Sequence, residues 1–496
     1  MNRFQLDRLH SWGSVSFLTG VAMLVCFAWM SRLPSLRGPA VTSFLAAFLL
    51  ASLAYAIAAL RLKRDHLPLV LIWVFAIMFR LIMLSTSPTL SDDVFRNIWD
   101  GHLLNQGVNP YAFPVESPLF NQYNTPLRGL INNSWMASPY LPSAQLLFAA
   151  VGWLVPQNTL VFQAAAIVFD LSTGLLVMDI LKTLNLPRGR VLIYLWNPLI
   201  VIEFSHSAHI DALMLFLIML SFWYLVRARP DKSNQGHYRT ASAVTLAATT
   251  LTKALPGLLA PLFIRRWGWW RVMLYGILIA GTLALFALGA GWGISGPLDG
   301  RGVFGALRIY AQYWNYNSSI YHWLEVLVTG YSTPGAVPLE VAGEGTINLL
   351  RKILSAITGL VAIGVGFWAW HLDDPDKSDH VQRSLYLLRL ALIPLGAYLL
   401  LTHTVHPWYV TLVLPFIPFL LPRKGEKPLT ARFAVPWLYL SCAVAFSYLT
   451  YLNPDDLREF YLVRWLEYVP FYILLFWAAW PYLSQGLTSI LERDTR

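Results

Sequence analysis

The chain alternates long apolar runs with short polar breaks over most of its length. Runs close to the roughly 20 residues needed to span a hydrocarbon core fall at about 12–30, 41–60, 67–86, 159–180, 211–228, 270–292, 353–370, 384–401 and 432–450. Each predicts a transmembrane helix. Two stretches break the pattern. Residues 143–156 (SAQLLFAAVGWLVP) are apolar where no further crossing is wanted, which predicts a re-entrant segment or a misassigned neighbour. Residues 241–264 are interrupted at Leu255-Pro256-Gly257 and followed by Arg265 and Arg266, which predicts a short hairpin of two half-helices. Such breaks occur at membrane depth where they are buried in protein or line a cavity. The expectation is an all-α polytopic membrane protein of about 11–14 membrane segments with no separate soluble domain. Loops 86–142 and 294–352 exceed the roughly 12–15 residues of a bare connector. Their Trp, Tyr, Asn and Pro content predicts short interfacial helices and ordered turns.

Composition agrees with a lipid environment. Of 496 residues only 12% are charged and 56% are hydrophobic, against about 25% charged in soluble domains. The 21 Trp and 23 Tyr suit aromatic belts at the membrane–water boundaries. No A-x-A-like cleavage site follows the first apolar run, so a span rather than a cleaved signal is expected there. Cys26 and Cys442 fall inside apolar runs and read as small core residues, with no disulfide framework or metal spacing. The net charge of +10 comes without a long basic run interleaved with aromatics, so no nucleic-acid partner is expected.

The distribution of that charge sets an orientation. Segments 61–66, 181–190, 227–239, 265–271, 371–383 and 422–432 hold 19 Lys/Arg in 60 residues. The intervening segments 31–40, 86–142, 205–211, 294–352, 402–408 and 451–468 hold 10 in 158. By the positive-inside rule the first set is cytoplasmic, as are both termini.

The unusual polar residues gather in the second, outer set. Asp92 and Asp93, in SDDVFRNIWDGHLLNQGVNPY (91–111), stand at the exit of an apolar run, where ionisable groups are functional candidates. Adjacent helical residues point about 100° apart, so one of the pair faces a substrate while the other caps the helix that follows. Arg96 is spaced to ion-pair with either. Phe95, Ile98 and Trp99 form that helix's apolar stripe, and Asn109 and Tyr111 follow it. Next, His206, His209 and Asp211 occupy a tight turn, as cavity-lining groups, with Asp211 as a helix cap, or with His209 and Asp211 as a thin metal pair. Lys253 lies at the predicted hairpin, either snorkelling to water or meeting a phosphate as a point charge. In RIYAQYWNYNSSIYHWLE (308–325), Tyr313, Trp314, Asn315, Tyr316 and Asn317 combine flat rings with amides, which suits either sugar recognition or an interfacial aromatic belt. Ser318 or Ser319 is also placed to cap a helix, and Asn317-Ser318-Ser319 matches a glycosylation sequon. Finally, His403, His406, Trp408 and Tyr409 stand at the outer mouth of a span.

SDDVFRNIWDG, GVNPY, NPLIVIE followed by HSAHIDALM, YWNYNSS and HPWY, in that order, resemble the GT-C superfamily of membrane glycosyltransferases. Within it, they resemble the polyprenol-phosphate-mannose-dependent mannosyltransferases. The likeness covers roughly residues 80–425; the His-x-Asp spacing of HSAHIDA is kept, while the glycines of the relatives' turn are not. The resemblance implies a GT-C-like bundle in which 67–425 is the catalytic membrane unit, preceded by N-terminal spans (1–66) and followed by C-terminal spans (426–496). It implies inverting transfer of a hexose, mannose first, from a polyprenyl-phosphate donor to a glycan or glycolipid acceptor. The expected setting is the extracytoplasmic face of a bacterial inner membrane. Asp92 or Asp93 would be the base, and Lys253, Arg301 or Arg308 would hold the donor phosphate. Arg96, Asn109, Tyr111, His206, His209, Asp211, Tyr313, Asn315, Asn317, His403, His406, Trp408 and Tyr409 would surround the substrate. Neither a cofactor nor a metal is expected. The alternative is a transporter or flippase for a lipid-linked or small polar solute, which the broken hairpin also suits.

Overall fold

The structure is a computed structural model, and it describes residues 15–62, 67–229, 233–295, 298–329, 344–374, 379–423, 425–426, 429–453 and 457–494, with side chains to Ser484. The N-terminal residues whose side was inferred from charge, and 330–343 of the second long loop, lie outside the described residues. The protein is 75% helical, and among the described residues the only extended pairing is one isolated bridge, between Tyr316 and Thr404.

Among the described residues, seven helices are long and apolar enough to cross a membrane, or eight if the bent pair Pro198–His206 and Asp211–Arg227 is one span. Four shorter apolar helices accompany them: Val15–Met30, Leu69–Leu84, Pro142–Leu154 and Pro407–Leu420. Together these fall inside the number of segments expected from the apolar pattern. Residues 143–156 form the 13-residue helix Pro142–Leu154. At 1.5 Å per residue it reaches about 20 Å, short of a full crossing. The predicted hairpin is present: helix Gln235–Thr250 stops, the chain turns through Lys253, and Leu255–Leu259 leads into helix Ala260–Trp267.

Why the bundle coheres is visible at its centre. Trp196 is fully buried, meets Phe75 and Phe79 edge-on, and donates its indole N–H to Ile72 O at 3.0 Å. Beside it Arg80 and Asp170, both fully buried, pair at 2.5 Å. Tyr194 donates to the other Asp170 oxygen, and Arg80 reaches the carbonyls of Ala76 and Leu195. Neither charge stood out in the sequence. Removing one partner of such a pair costs about 3–5 kcal/mol because the other is left stranded. By contrast, helix Trp269–Ala287 has no buried residue and exposes Met273, Ile277 and Leu285. An apolar helix of that length with no buried residue turns much of its surface to lipid.

Segments assigned to one side by charge meet one another. On the basic side Arg266 binds Asp373 with two nitrogens at 2.9 Å, Arg190 reaches Pro422 O, and Arg423 donates to Gln382. On the other side Arg37 meets Asp92, Ala137 N donates to Asp299 O, Tyr316 pairs with Thr404, and Asn317 N donates to Glu459. The two sets of polar loops therefore sit at opposite ends of the bundle.

Candidate active site

Helix Asp93–Asn105 opens the site. It packs so closely on Pro142–Leu154 that a Cβ on Gly101 would come within 2.3 Å of Phe148 O. Its buried face is more polar than the expected stripe: with Ile98 and Trp99 it also hides Arg96, Asn97 and Asp100. Asp100 accepts hydrogen bonds from Ser138 and Gln145. Burial pushes its carboxyl above the ordinary range, against the pull of Arg96 and of those donors. Arg96 does not ion-pair with Asp92 or Asp93; its guanidinium donates to Asn133 O at 2.9 Å and Met136 O at 3.1 Å. It fastens the first long loop instead.

The two aspartates part company. Asp92 takes the N-cap position but makes no side-chain cap bond. Both its oxygens face Arg37, at 3.1 and 3.3 Å, and that guanidinium also lies 4.6 Å from the Tyr451 ring. Asp93, the first helical residue, is about a quarter exposed, and its Oδ2 lies 3.8 Å from His209 Nδ1. Burial, together with the nearby Asp93 and Asp100 carboxylates, holds the Tyr140 phenol well above its usual range, so it keeps its proton.

His209 belongs to an aromatic stack. Its ring lies 4.0 Å from Trp408, Trp408 lies 4.4 Å from His406 with parallel planes, and His406 lies 4.8 Å from Tyr316. The Tyr316–Thr404 bridge makes this possible: Tyr316 N donates to His403 O and Val405 N to Tyr316 O, joining YWNYNSS to THTVHPWY. Burial takes the His406 imidazole down to about 3 although Asp93 pulls it up, so the ring is neutral in the stack. His403, near Tyr310 and Tyr321, is likewise lowered to about 3 by burial, with Arg351 adding to the effect.

Lys253 adjoins the same aromatic residues through Tyr409, which packs edge-on against His406 and Trp408. Its Nζ lies 2.7 Å from Asp211 Oδ2 and 5.1 Å from the centre of the Tyr409 ring. Tyr409 in turn shares a hydrogen bond with Tyr310. Asp211 therefore does not cap its helix, whose N-cap residue is Ile210. Nor does it converge with His209 on a metal: one faces Lys253 and the other Asp93. Arg301 pairs with Asp299 at 2.5 Å and lies over Phe113; Arg308 and Tyr313 sit on helix Gly305–Tyr313.

Several candidates have their polar atoms committed inside the protein. Asn109 donates to Phe286 O and accepts from Tyr111 N, and Tyr111 is buried with its hydroxyl on Tyr140 O. His206 bonds to Thr86 through Nδ1 and accepts from Thr89 N through Nε2, which fixes a neutral tautomer protonated on Nδ1. Asn315 donates to Glu325; Asn317 donates to Glu467 and is buried, which also closes the sequon to an external enzyme. Ser319 Oγ bonds Tyr472. Residues not picked out from the sequence matter as much: Arg37, Tyr140 and Glu203. The signal for Glu203 was a lone acid in the apolar run LIVIEF.

What converges at one end of the bundle, then, is a carboxylate, stacked rings and a lysine. A carboxylate can accept a proton, rings can stack on a pyranose, and a lysine can hold an anion. This arrangement suits a polytopic membrane enzyme with a polar site at one end of the bundle. A family model described as alpha-(1→6)-mannopyranosyltransferase, N-terminal domain (MptA_B family), matches residues 8–269, more than half of the chain. The chain belongs to this family and is a membrane mannosyltransferase. No curated protein and no solved structure matches it significantly.

Proposed function

We propose that this protein transfers mannose from a polyprenyl-phosphate donor to a glycan or glycolipid acceptor, with inversion, and that Asp93 is the base. The observation that supports the choice is the difference in partners: Asp92 has both oxygens on Arg37, whereas Asp93 lies beside the imidazole of His209 and near Tyr140. Asp93 takes the acceptor hydroxyl's proton as that oxygen attacks the anomeric carbon. The bond to the donor phosphate breaks and its electron pair leaves with polyprenyl phosphate. A phosphate monoester is a good leaving group, so it needs a cation more than a proton. Lys253, tethered by Asp211 and lying over the Tyr409 ring, supplies that cation in this reading. The family description names an α-(1→6) linkage, which makes the acceptor group a primary hydroxyl. The charge asymmetry supports the extracytoplasmic side for this chemistry, and the fold is read as a GT-C-like bundle with its catalytic unit at 67–425.

The test is donor choice by the purified protein in lipid nanodiscs, offered radiolabelled polyprenyl-phosphate mannose or a nucleotide-activated mannose with one mannoside acceptor. Transfer from the lipid donor alone is expected, with the product cleaved by an α-1,6-specific mannosidase. Transfer only from the nucleotide sugar would overturn the reading.

A further inference from the structure

The run NPLIVIEFSHSAHID buries a carboxylate, Glu203, directly after the apolar stretch Leu199–Ile202. Between Ile202 and His206 the helix widens to a π turn, a feature frequent at functional sites. It then breaks through Ala208, a non-glycine residue at φ +56°, and the next helix leaves at 119°. The result places Glu203 and His209 together: His209 N donates to Glu203 O at 3.1 Å, and Glu203 Oε2 lies 3.3 Å from His209 Nε2. Glu203 is fully buried. Its Oε1 accepts from Tyr448 at 2.6 Å, while Oε2 and His209 Nε2 face each other without a well-angled hydrogen bond to any group. A stranded carboxylate oxygen in a dry site costs several kcal/mol, and a small tilt of the imidazole satisfies both atoms.

His209 is thus fixed from three directions. Trp408 holds its ring plane, Glu203 faces Nε2, and Asp93 faces Nδ1 from 3.8 Å. We infer that Glu203 is a positioning residue that keeps a proton on His209 Nε2 and leaves Nδ1 to receive a proton from Asp93. This rests on Asp93 being the base. The acceptor's proton moves to Asp93 as the glycosidic bond forms and the bond to phosphate breaks. It then passes to His209 Nδ1, restoring the carboxylate, and reaches water when product leaves. Glu203 touches no reacting atom. It acts through the imidazole, as partners of an orienting histidine do in other sites.

The experiment measures kcat and donor KM for the full-length protein in nanodiscs, with polyprenyl-phosphate mannose as donor, in Glu203→Gln, His209→Asn, Asp93→Asn and the Asp93→Asn/Glu203→Gln double variant. Glu203→Gln keeps an acceptor for Tyr448 but turns an amide N–H₂ toward Nε2. It is expected to lower kcat about 10–100-fold with little change in KM. In the Asp93→Asn background the same change is expected to add little, since the residues act as a unit. A wild-type kcat in Glu203→Gln, a loss confined to KM, or a full multiplicative loss in the double variant would each overturn the inference. Should Glu203→Gln not fold, His209→Asn carries the test: a kcat-selective loss supports the relay and a wild-type kcat sinks it. Full activity of Asp93→Asn would instead remove the base assignment, a separate failure.

Discussion

Replacing Lys253 by Met separates two properties of one ion pair. Asp211 is almost wholly buried, with 2% of its side chain exposed, whereas Lys253 keeps 23%. Losing the lysine therefore strands a buried carboxylate, while losing the aspartate leaves a cation that water still reaches. Breaking a buried pair from the exposed side costs about 3–5 kcal/mol. Asp211 sits in the first turn of helix Asp211–Arg227, where a negative charge regains roughly 0.3–1 kcal/mol from the helix dipole. The net expectation for Lys253→Met is a stability loss of about 2–4 kcal/mol. Asp211→Asn in the same chain should recover most of it, because an amide needs no counter-charge. Activity should behave differently. If Lys253 stabilises the departing phosphate, its loss lowers kcat/KM on the order of 10²–10³-fold, and Asp211→Asn does not bring it back. The assay pairs thermal unfolding in detergent with initial rates on polyprenyl-phosphate mannose. Recovery of both stability and activity in the double variant would refute the phosphate role; recovery of neither would refute the pairing argument.

Three other outcomes follow from the geometry. Gly101→Ala places a methyl 2.3 Å from Phe148 O, so helix Asp93–Asn105 must lift from Pro142–Leu154; a loss of about 1–3 kcal/mol is expected, and unchanged thermal unfolding would contradict that packing. His403 stays neutral in the folded protein down to about pH 3, whereas an unfolded histidine protonates near 6.5. The unfolded state therefore binds more protons between those values, and stability falls as pH drops below 6.5, by roughly 1.4 kcal/mol per unit for each such histidine; His403→Gln should flatten the fall in melting temperature from pH 6.5 to 5, and an unchanged slope would count against it. Arg37→Met frees the Asp92 carboxylate from its partner. It is expected to lower stability more than kcat, as read from melting and initial rates, and a selective loss of kcat would argue that Asp92 takes part in the chemistry.

Much of the architecture was written in the apolar runs and in the placing of Lys and Arg. The hairpin around Lys253 and the short helix at 143–156 could be read there because Pro, Gly and run length limit what a helix can do. The site was legible only in outline. Asp93, His209, His406, Trp408 and Lys253 were recognisable as unusual polar or aromatic residues at one end of the chain's spans. Their division of labour was not, because it depends on long-range partners. Arg37 lies 55 residues from Asp92, and Tyr448 lies 245 from Glu203. The amides misled for a different reason. Asn109, Asn315 and Asn317 have the hydrogen-bonding capacity of sugar ligands, but that capacity serves helix ends and buried carboxylates equally well. Sequence composition does not distinguish a ligand's hydroxyl from a neighbour's carbonyl. Arg80 and Asp170 were overlooked because each is a single charge in a long apolar run, and only their contact explains how either is tolerated.

The most direct measurement is single-turnover mannosyl transfer by Asp93→Asn and Asp92→Asn, each shown to be folded by its melting temperature. Asp93→Asn should slow transfer about 10²–10⁴-fold, the contribution of a positioned base. Asp92→Asn should keep most of its rate while losing stability with its Arg37 partner. The opposite order, or full activity in Asp93→Asn, would contradict the assignment of Asp93 as the base.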